Sequence, residues 1–197
     1  MMHSKIPQLQ TIYASFEAQA SVFKADAACR KGCAFCCTDA GGIDITTLEG
    51  LAIGNALGRL AKQQQKTVRK LMARDMQRRE QGLPSACPFL MKNKACMIYS
   101  ARPFACRRIY SVQTCSQTLP ATLNRQVMAI GDQAINLLQQ LDHTGYSGHM
   151  TFILCMLESP GFLSSYLAGG FKPEEIADFG KSHRIVINRM VAAPPQN

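Results

Sequence analysis

Apolar residues recur every three or four positions in several stretches of the chain, which is the period of an amphipathic helix. Residues 5–27, 60–81 and 121–141 show this pattern. Another helix is expected to begin near Thr46, because Thr46 and Glu49 are spaced for a capping box. The short apolar run 150–157 is consistent with either a buried helix or a strand. The pattern predicts a mostly α fold.

The stretches between these helices are irregular. Residues 28–43 and 83–120 are rich in Cys, Gly or Pro, and residues 143–149 are expected to form a turn. We expect one domain with an N-terminal helix in residues 1–28, a cysteine-cluster region in 29–116 and a C-terminal helical region in 117–191. A further helix start is expected at 172–175, and residues 192–197 are expected to be a disordered tail. A chain of 197 residues is long enough to bury a core without help from a metal.

Three glycines lie four residues apart at Gly50, Gly54 and Gly58, so they share one helix face. Such a face lets another helix approach closely. The apolar stretch around them is too short to cross a membrane, so we expect close packing inside the protein.

The N-terminus lacks the basic and apolar segments of a secretory signal, and the chain has no run of eighteen apolar residues. We therefore expect a cytoplasmic protein without a membrane span. Thiols stay reduced in that compartment, so nine cysteines indicate metal or redox chemistry rather than disulfides.

Eight of the cysteines fall in two groups, one in residues 29–37 and one in residues 87–115. Short spacings let several sulfurs turn toward one centre, and both tetrahedral zinc and iron–sulfur clusters are held by cysteine thiolates. We predict a metal site to which both groups contribute. Eight thiols exceed the four that one zinc ion needs, so two centres, or one cluster with a labile thiol, are both possible. The predicted ligands are Cys29, Cys33, Cys36, Cys37, Cys87, Cys96, Cys106 and Cys115.

Cys155 differs from the other cysteines because it stands alone in the apolar run 150–157. Free cysteine behaves as a small hydrophobic residue when it is buried. We therefore predict that Cys155 belongs to the core and not to the metal site.

The formal net charge of +9 is concentrated in the helix predicted over residues 60–81. A basic helix can bind nucleic acid, which would make the chain a nucleic-acid-binding module with structural zinc. No aromatic residue is interleaved for base stacking between Arg59 and Arg79, so a solvated face is favoured.

The cysteine pattern resembles the YkgJ-type family, a zinc- or iron-chelating domain with a C-x2-C-x2-CC signature. The first group stands at that signature, although its first gap holds three residues, 30–32, where the signature has two. The downstream segments Cys87-Pro88-Phe89-Leu90, Cys96-Met97-Ile98-Tyr99 and Arg102-Pro103-Phe104-Ala105-Cys106-Arg107 resemble further elements of the family. The resemblance covers residues 29–110.

The resemblance also implies roles for residues other than cysteine. Arg102 and Arg107 would donate hydrogen bonds to the sulfurs or neutralise their charge, and Tyr99 would act through its hydroxyl. Glu49 could supply an oxygen ligand, although the capping box is the favoured interpretation of that residue. The implied cofactor is zinc or iron, including an iron–sulfur cluster.

The sequence favours a metal-binding protein with no catalysis of its own. The alternative is an iron–sulfur enzyme with redox or methyl-transfer activity. The segment Cys29-x3-Cys33-Ala34-Phe35-Cys36 also resembles the radical-SAM cluster motif. That chemistry belongs to a β/α barrel, and this chain shows no alternation of strands and helices.

Overall fold

Helices form most of the protein, which confirms the predicted mostly α fold. The computed structural model describes residues 2–25, 27–30, 32–38, 42–83, 85–170, 178, 181–182 and 189–190. The helix start expected at 172–175 and the tail 192–197 lie outside the described residues. The helices are α1 (Met2–Ala20), α2 (Phe35–Thr38), α3 (Thr47–Gly58), α4 (Lys62–Glu80), α5 (Phe104–Arg108), α6 (Arg125–Leu141), α7 (Met150–Leu157) and α8 (Pro160–Leu167). Short 3-10 helices lie at Ser21–Phe23 and Tyr99–Ala101.

A small antiparallel sheet joins distant parts of the chain in the order β1 (Asp44–Thr46), β2 (Tyr146–His149) and β3 (Arg189–Met190). Ile45 lies opposite Gly148, and Tyr146 lies opposite Met190. The predicted turn over 143–149 is therefore wrong in its second half, where the chain is extended. Four residues with a central glycine are too short to show the alternation that marks a strand.

The start of α3 is held by three polar contacts. Thr46 and Glu49 form the predicted capping box, with Glu49 N–H donating to the Thr46 hydroxyl and Thr46 N–H donating to the Glu49 carboxylate. A third free amide, that of Leu48, donates to Oδ2 of Asp142 across 2.8 Å. The same carboxylate accepts the hydroxyl of Tyr166 on α8 across 2.7 Å. The first turn of α3 is thus satisfied by residues from two regions of the chain.

The core consists of two clusters of buried side chains. One contains residues of β1, α3, α4, α7 and α8, including Ile45, Val68 and Ile153. The other packs α1 against α6 and contains Phe16, Phe104 and other apolar residues. Cys87 and Cys96 pack against the first cluster, whereas α5, which carries Cys106, enters the second through Phe104. The cysteine-rich loops therefore rest on both halves of the core.

The glycine face of α3 is only partly packed. At Gly50 an added Cβ would lie 2.8 Å from Leu157 and 2.9 Å from Ile153, so this glycine permits the close approach of α7. Gly54 and Gly58 have no such neighbours and border an apolar groove of about 270 Å³ between α3, α4, α7 and α8. In the part of the chain that the structure describes, no single helix is long and apolar enough to cross a membrane.

Candidate metal centre

The eight clustered cysteines lie on loops and short helices and not on the long helices. Cys29 and Cys33 precede α2, Cys36 and Cys37 lie on α2, and Cys106 lies on α5. Cys87, Cys96 and Cys115 lie in the irregular segments around α5. All nine cysteines of the chain are free thiols. Cys29 and Cys33 are exposed, whereas the others are partly buried.

A backbone hydrogen bond joins the two groups of cysteines. The amide of Cys87 donates to the carbonyl of Cys37 across 2.7 Å. An isolated β-bridge then pairs Leu90 with Cys96, and Met97 N–H donates to Phe89 carbonyl across 2.9 Å. The chain thus folds back at residues 91–95, which returns Cys96 to the side of Cys87. Two distant segments are therefore fixed to each other at Cys37 and Cys87.

Four of these thiols are electrostatically coupled: for every pair among them, the charge of one thiolate raises the pKa of the other. We call Cys36, Cys87, Cys96 and Cys106 the inner cysteines. Burial raises the pKa of Cys87 to about 11 and that of Cys106 to about 12, and the charge of Cys36 and of Cys96 raises both further. Burial also raises the pKa of Cys96, whereas the positive charge of Arg102 lowers it. As thiolates, the inner cysteines would repel one another, so a cation placed among them would relieve that repulsion.

Cys37 lies beside this set. Its thiol shares a hydrogen bond with Cys36, and this contact lowers the pKa of Cys36 and raises that of Cys37. The charges of Cys87 and Cys106 raise the pKa of Cys37 further. Cys37 is therefore a neighbour that stabilises the thiolate of Cys36 through its S–H group.

The remaining three cysteines form a separate set, which we call the outer cysteines: Cys29, Cys33 and Cys115. Burial raises the pKa of Cys29, although a hydrogen bond from Ser111 opposes the shift, and the charges of Cys33, Cys115 and Cys36 add to it. The amide of Ser111 donates to the Cys29 sulfur across 3.2 Å. Of the inner cysteines, Cys36 is the one whose charge acts on Cys29.

The charge of Arg102 acts on two of the inner cysteines. Its charge lowers the pKa of Cys36 and of Cys96. Its guanidinium carbon lies 4.3 Å from the ring centroid of Tyr99, and Nη2 lies 3.8 Å from Glu17. Among the described residues, the buried Nε of Arg102 has no hydrogen-bond partner. A buried N–H beside a group of thiols fits a site at which negative sulfur develops.

Arg107 and Tyr99 are placed differently from Arg102. Arg107 donates to Glu17 across 2.7 Å and to the carbonyls of Arg102 and Ser100 across 2.9 Å, so its guanidinium ties α1 to the loop that precedes α5. Tyr99 is 63% exposed and stacks on Arg102 through its ring. Their predicted action on the sulfurs stays a prediction, and the contacts observed are with Glu17, with Arg102 and with the loop before α5.

Glu49 is buried, and both of its oxygens accept hydrogen bonds. Oε1 accepts the hydroxyl of Tyr13 and the amide of Phe104, each across 2.7 Å, and Oε2 accepts the amide of Thr46 across 2.8 Å. Its charge contributes to the raised pKa of Cys106. As a metal ligand, Glu49 would have to give up one of these bonds.

The chemistry of the inner cysteines fits a thiophilic metal, but the sulfurs are not drawn together into a finished site. Among the described residues, no three His, Cys, Asp or Glu side chains are arranged to hold an ion. Metal binding would therefore include a closing movement of the loops. Such coupling is common because a preformed thiolate site would carry strong repulsion.

Three residues that support the site were not singled out from the sequence. Glu17 holds Arg102 and Arg107, Ser111 bonds to Cys29, and buried Asp75 contributes to the raised pKa of Cys87. Asp75 itself is bonded by Arg79 and Thr151. Their only sequence signal is polarity next to apolar residues, which many surface positions share.

The basic face of α4 lies apart from this chemistry. Val68, Met72 and Asp75 are the buried residues of this helix, whereas Lys62, Lys66, Lys70 and Arg74 are exposed. Arg79 forms an ion pair with Asp75. The exposed lysines and Arg74 form a solvated face, and nucleic-acid binding stays an untested alternative.

Comparison with known proteins adds the family. Residues 28–127, half of the chain, match the model of the CxxCxxCC family, described as "Putative zinc- or iron-chelating domain". The chain therefore belongs to this family. The matched range contains all eight clustered cysteines and excludes Cys155. No curated protein matches the chain. No solved structure matches it either.

Proposed function

We propose that this protein binds zinc or iron through cysteine thiolates from its two cysteine-rich segments and has no catalytic activity of its own. One observation carries the proposal: the amide of Cys87 in the second segment donates to the carbonyl of Cys37 in the first across 2.7 Å, so the two groups of cysteines are joined. In agreement with this contact, the charge of Cys36 raises the pKa of Cys87, Cys96 and Cys106. Four thiols from separate segments are the donor set of a closed tetrahedral site or of an iron–sulfur cluster.

The surroundings support the same function. Arg102 brings positive charge and a free buried N–H to the inner cysteines. Membership in a chelating family agrees with this donor set. The buried carboxylates Glu49, Asp75 and Asp142 each accept hydrogen bonds that join separate elements, so we assign them a structural role and propose no reaction.

Elemental analysis of anaerobically purified protein, with its visible absorption spectrum, tests the proposal. Stoichiometric zinc without colour would identify a zinc protein, and iron with sulfide and a broad visible band would identify an iron–sulfur protein. Protein that contains neither metal, and takes up neither under anaerobic conditions, would refute the proposal.

Single substitutions test the ligand assignment. Cys36→Ser or Cys96→Ser should lower metal content sharply because each removes one of the four inner thiolates. Cys155→Ser is the matched control, since this half-buried thiol lies on α7 outside the cysteine loops and should leave metal content unchanged. Full metal content in both of the first two variants would contradict the assignment.

A further inference from the structure

The eight clustered cysteines differ in burial and in their partners. The inner cysteines are partly buried, and the amide of Cys87 donates to the carbonyl of Cys37, next to Cys36. Of the outer cysteines, Cys29 and Cys33 are exposed. The amide of Cys33 donates to the carbonyl of Arg30 across 2.9 Å, which turns the chain back next to Cys29, and the amide of Ser111 donates to the Cys29 sulfur. One centre of four thiolates would therefore leave these three without a role.

We propose that Cys29, Cys33 and Cys115 form a second, outer site for a thiophilic divalent cation, next to the inner site but separate from it. This inference rests on the proposed function, because it assumes that the inner cysteines hold a metal. It assigns the surplus thiols to a site of their own.

Ser111 joins the two segments that would form the outer site. It is fully buried, and its carbonyl accepts the amide of Ala28 across 2.8 Å while its own amide donates to the Cys29 sulfur. These two bonds fix residues 28–29 against residue 111. An N–H directed at a cysteine sulfur favours its thiolate form and is a common support for sulfur ligands.

The side chain of Ser111 also orders the loop that carries Cys115. Its hydroxyl oxygen accepts the amides of Gln113 and Thr122, at 3.2 and 3.1 Å. Val112 N–H donates to the carbonyl of Thr122 across 3.0 Å, which closes the base of this loop. One buried serine thus positions Cys29 through its backbone and the Cys115 loop through its side chain.

An outer site of this composition would differ from the inner one in strength. Three thiolates leave one position of a tetrahedral ion open to water or to another ligand, which is the arrangement of an exchangeable ion and not of a closed structural one. The exposure of Cys29 and Cys33 gives the ion direct access to solvent. The outer ion should be removed by a chelator before the inner ion.

Anaerobic titration of the full chain with Co²⁺ tests the inference, because cobalt in thiolate coordination is coloured and its spectrum reports the ligand set. Wild-type protein should bind two ions, and a competing chelator should remove one of them first. Combined Cys29→Ser, Cys33→Ser and Cys115→Ser substitutions should remove only the easily lost ion. Combined Cys87→Ser, Cys96→Ser and Cys106→Ser substitutions should remove the tightly held ion, and Cys155→Ser should change neither.

The result that overturns the inference is distinct from failure of the proposed function. If wild-type protein binds one ion and the outer triple variant binds it equally well, the outer site does not exist, whereas the inner site stands. If wild-type protein binds no Co²⁺, and neither contains nor takes up zinc or iron, the proposed function fails.

Two milder variants keep the test decisive if a triple variant does not fold. Cys33→Ser changes an exposed thiol and should weaken only the outer ion. Ser111→Ala should weaken the outer ion about 10-fold, within the range for residues that support ligands, and Ser111→Thr should restore most of the affinity. Equal chelator resistance of both ions in these variants would overturn the inference.

Discussion

The hydroxyl of Tyr13 donates to Oε1 of Glu49 across 2.7 Å, and the same oxygen accepts the amide of Phe104, two residues before Cys106. One buried carboxylate thus connects α1, the start of α3 and the start of α5, the helix that carries Cys106. Glu49→Gln would place an amide NH2 where one of three donors now points. We expect a loss of about 1–3 kcal/mol in the free energy of unfolding, measured by urea denaturation.

Tyr13→Phe is the milder companion of this variant, because it removes one hydroxyl and leaves the other two bonds of Glu49 in place. We expect it to cost about 1 kcal/mol. Metal content should follow the folded fraction in both variants. If Glu49→Gln remained as stable as wild type and yet lost its metal, Glu49 would be a ligand and not a structural residue.

Arg102 should strengthen metal binding through its charge and its buried N–H. Arg102→Gln removes the charge, so chelator competition should show metal affinity about 10–100-fold lower, while Arg102→Lys should lose less. Arg108→Gln is the matched control, because Arg108 also lies close to Cys106 in the sequence but pairs with Asp132 on α6 at 3.6 Å. Equal affinities in Arg102→Gln and Arg108→Gln would argue against a role for Arg102.

Two glycines of α3 should respond in opposite directions to the same substitution. Gly50→Ala places a methyl group 2.9 Å from Cγ2 of Ile153, a branch next to the backbone that cannot move aside easily. The cost of overpacking, about 1–3 kcal/mol, should exceed the gain in helix propensity, about 1 kcal/mol. Gly54→Ala meets no atom within 4 Å and should stabilise the protein by up to about 1 kcal/mol.

Thermal unfolding of both glycine variants provides the measurement. A lower Tm for Gly50→Ala and an equal or higher Tm for Gly54→Ala are expected. Destabilisation by Gly54→Ala would instead indicate that the apolar groove beside it is filled in solution.

Asp142 should make stability depend on pH. Burial raises its pKa to about 7, and Glu49 acts in the same direction, whereas hydrogen bonds from Tyr166 and Leu48 and the charge of Lys5 oppose the shift. The folded protein therefore holds a proton that the unfolded chain releases near its ordinary pKa of about 4. The protonated Asp142 therefore contributes its full stabilisation to the free energy of unfolding below about pH 4, and this stabilisation is lost as the pH rises to about 7.

Asp142→Asn removes this ionisation and should keep both neighbours bonded, because its amide oxygen accepts from Leu48 and its NH2 can donate to Tyr166. The difference in the free energy of unfolding between wild type and the variant should fall by about a few kcal/mol between about pH 4 and pH 8. Urea denaturation across this range measures the difference. Parallel pH profiles of the two proteins would contradict the assignment.

The fold was predictable where local signals are strong. The capping box at Thr46 and the 3.6-residue periodicity place α3, α4 and α6 within a few residues of their observed bounds. Residues 5–27 were expected to form one helix, but α1 ends at Ala20 and a 3-10 turn follows. The run 150–157 is helical because it packs on α3 and α4, and that tertiary contact has no signature in the run itself.

From the sequence we predict a site shared by two segments, and a contact between those segments is observed, but the sequence does not suggest the division into inner and outer cysteines. Spacing alone places Cys36 and Cys37 in one group with Cys29 and Cys33. The division arises because Cys87 bonds to the backbone of Cys37 while Ser111 bonds to Cys29, and both contacts span more than 45 residues of sequence. Long-range contacts of this kind depend on the packed core beneath the loops.

Helix α1 packs against the site but lies outside the range that matches the family. The matched range begins at residue 28 and ends at 127, within the first turn of α6. Tyr13, Phe16 and Glu17 lie before that range, and most of α6 and all of α7 lie after it. An excised fragment of residues 28–127 would leave Glu49 without its tyrosine and Arg107 without its carboxylate. The matched range therefore leaves out elements that pack against the site, and shortened versions should be cut outside α1 and α8.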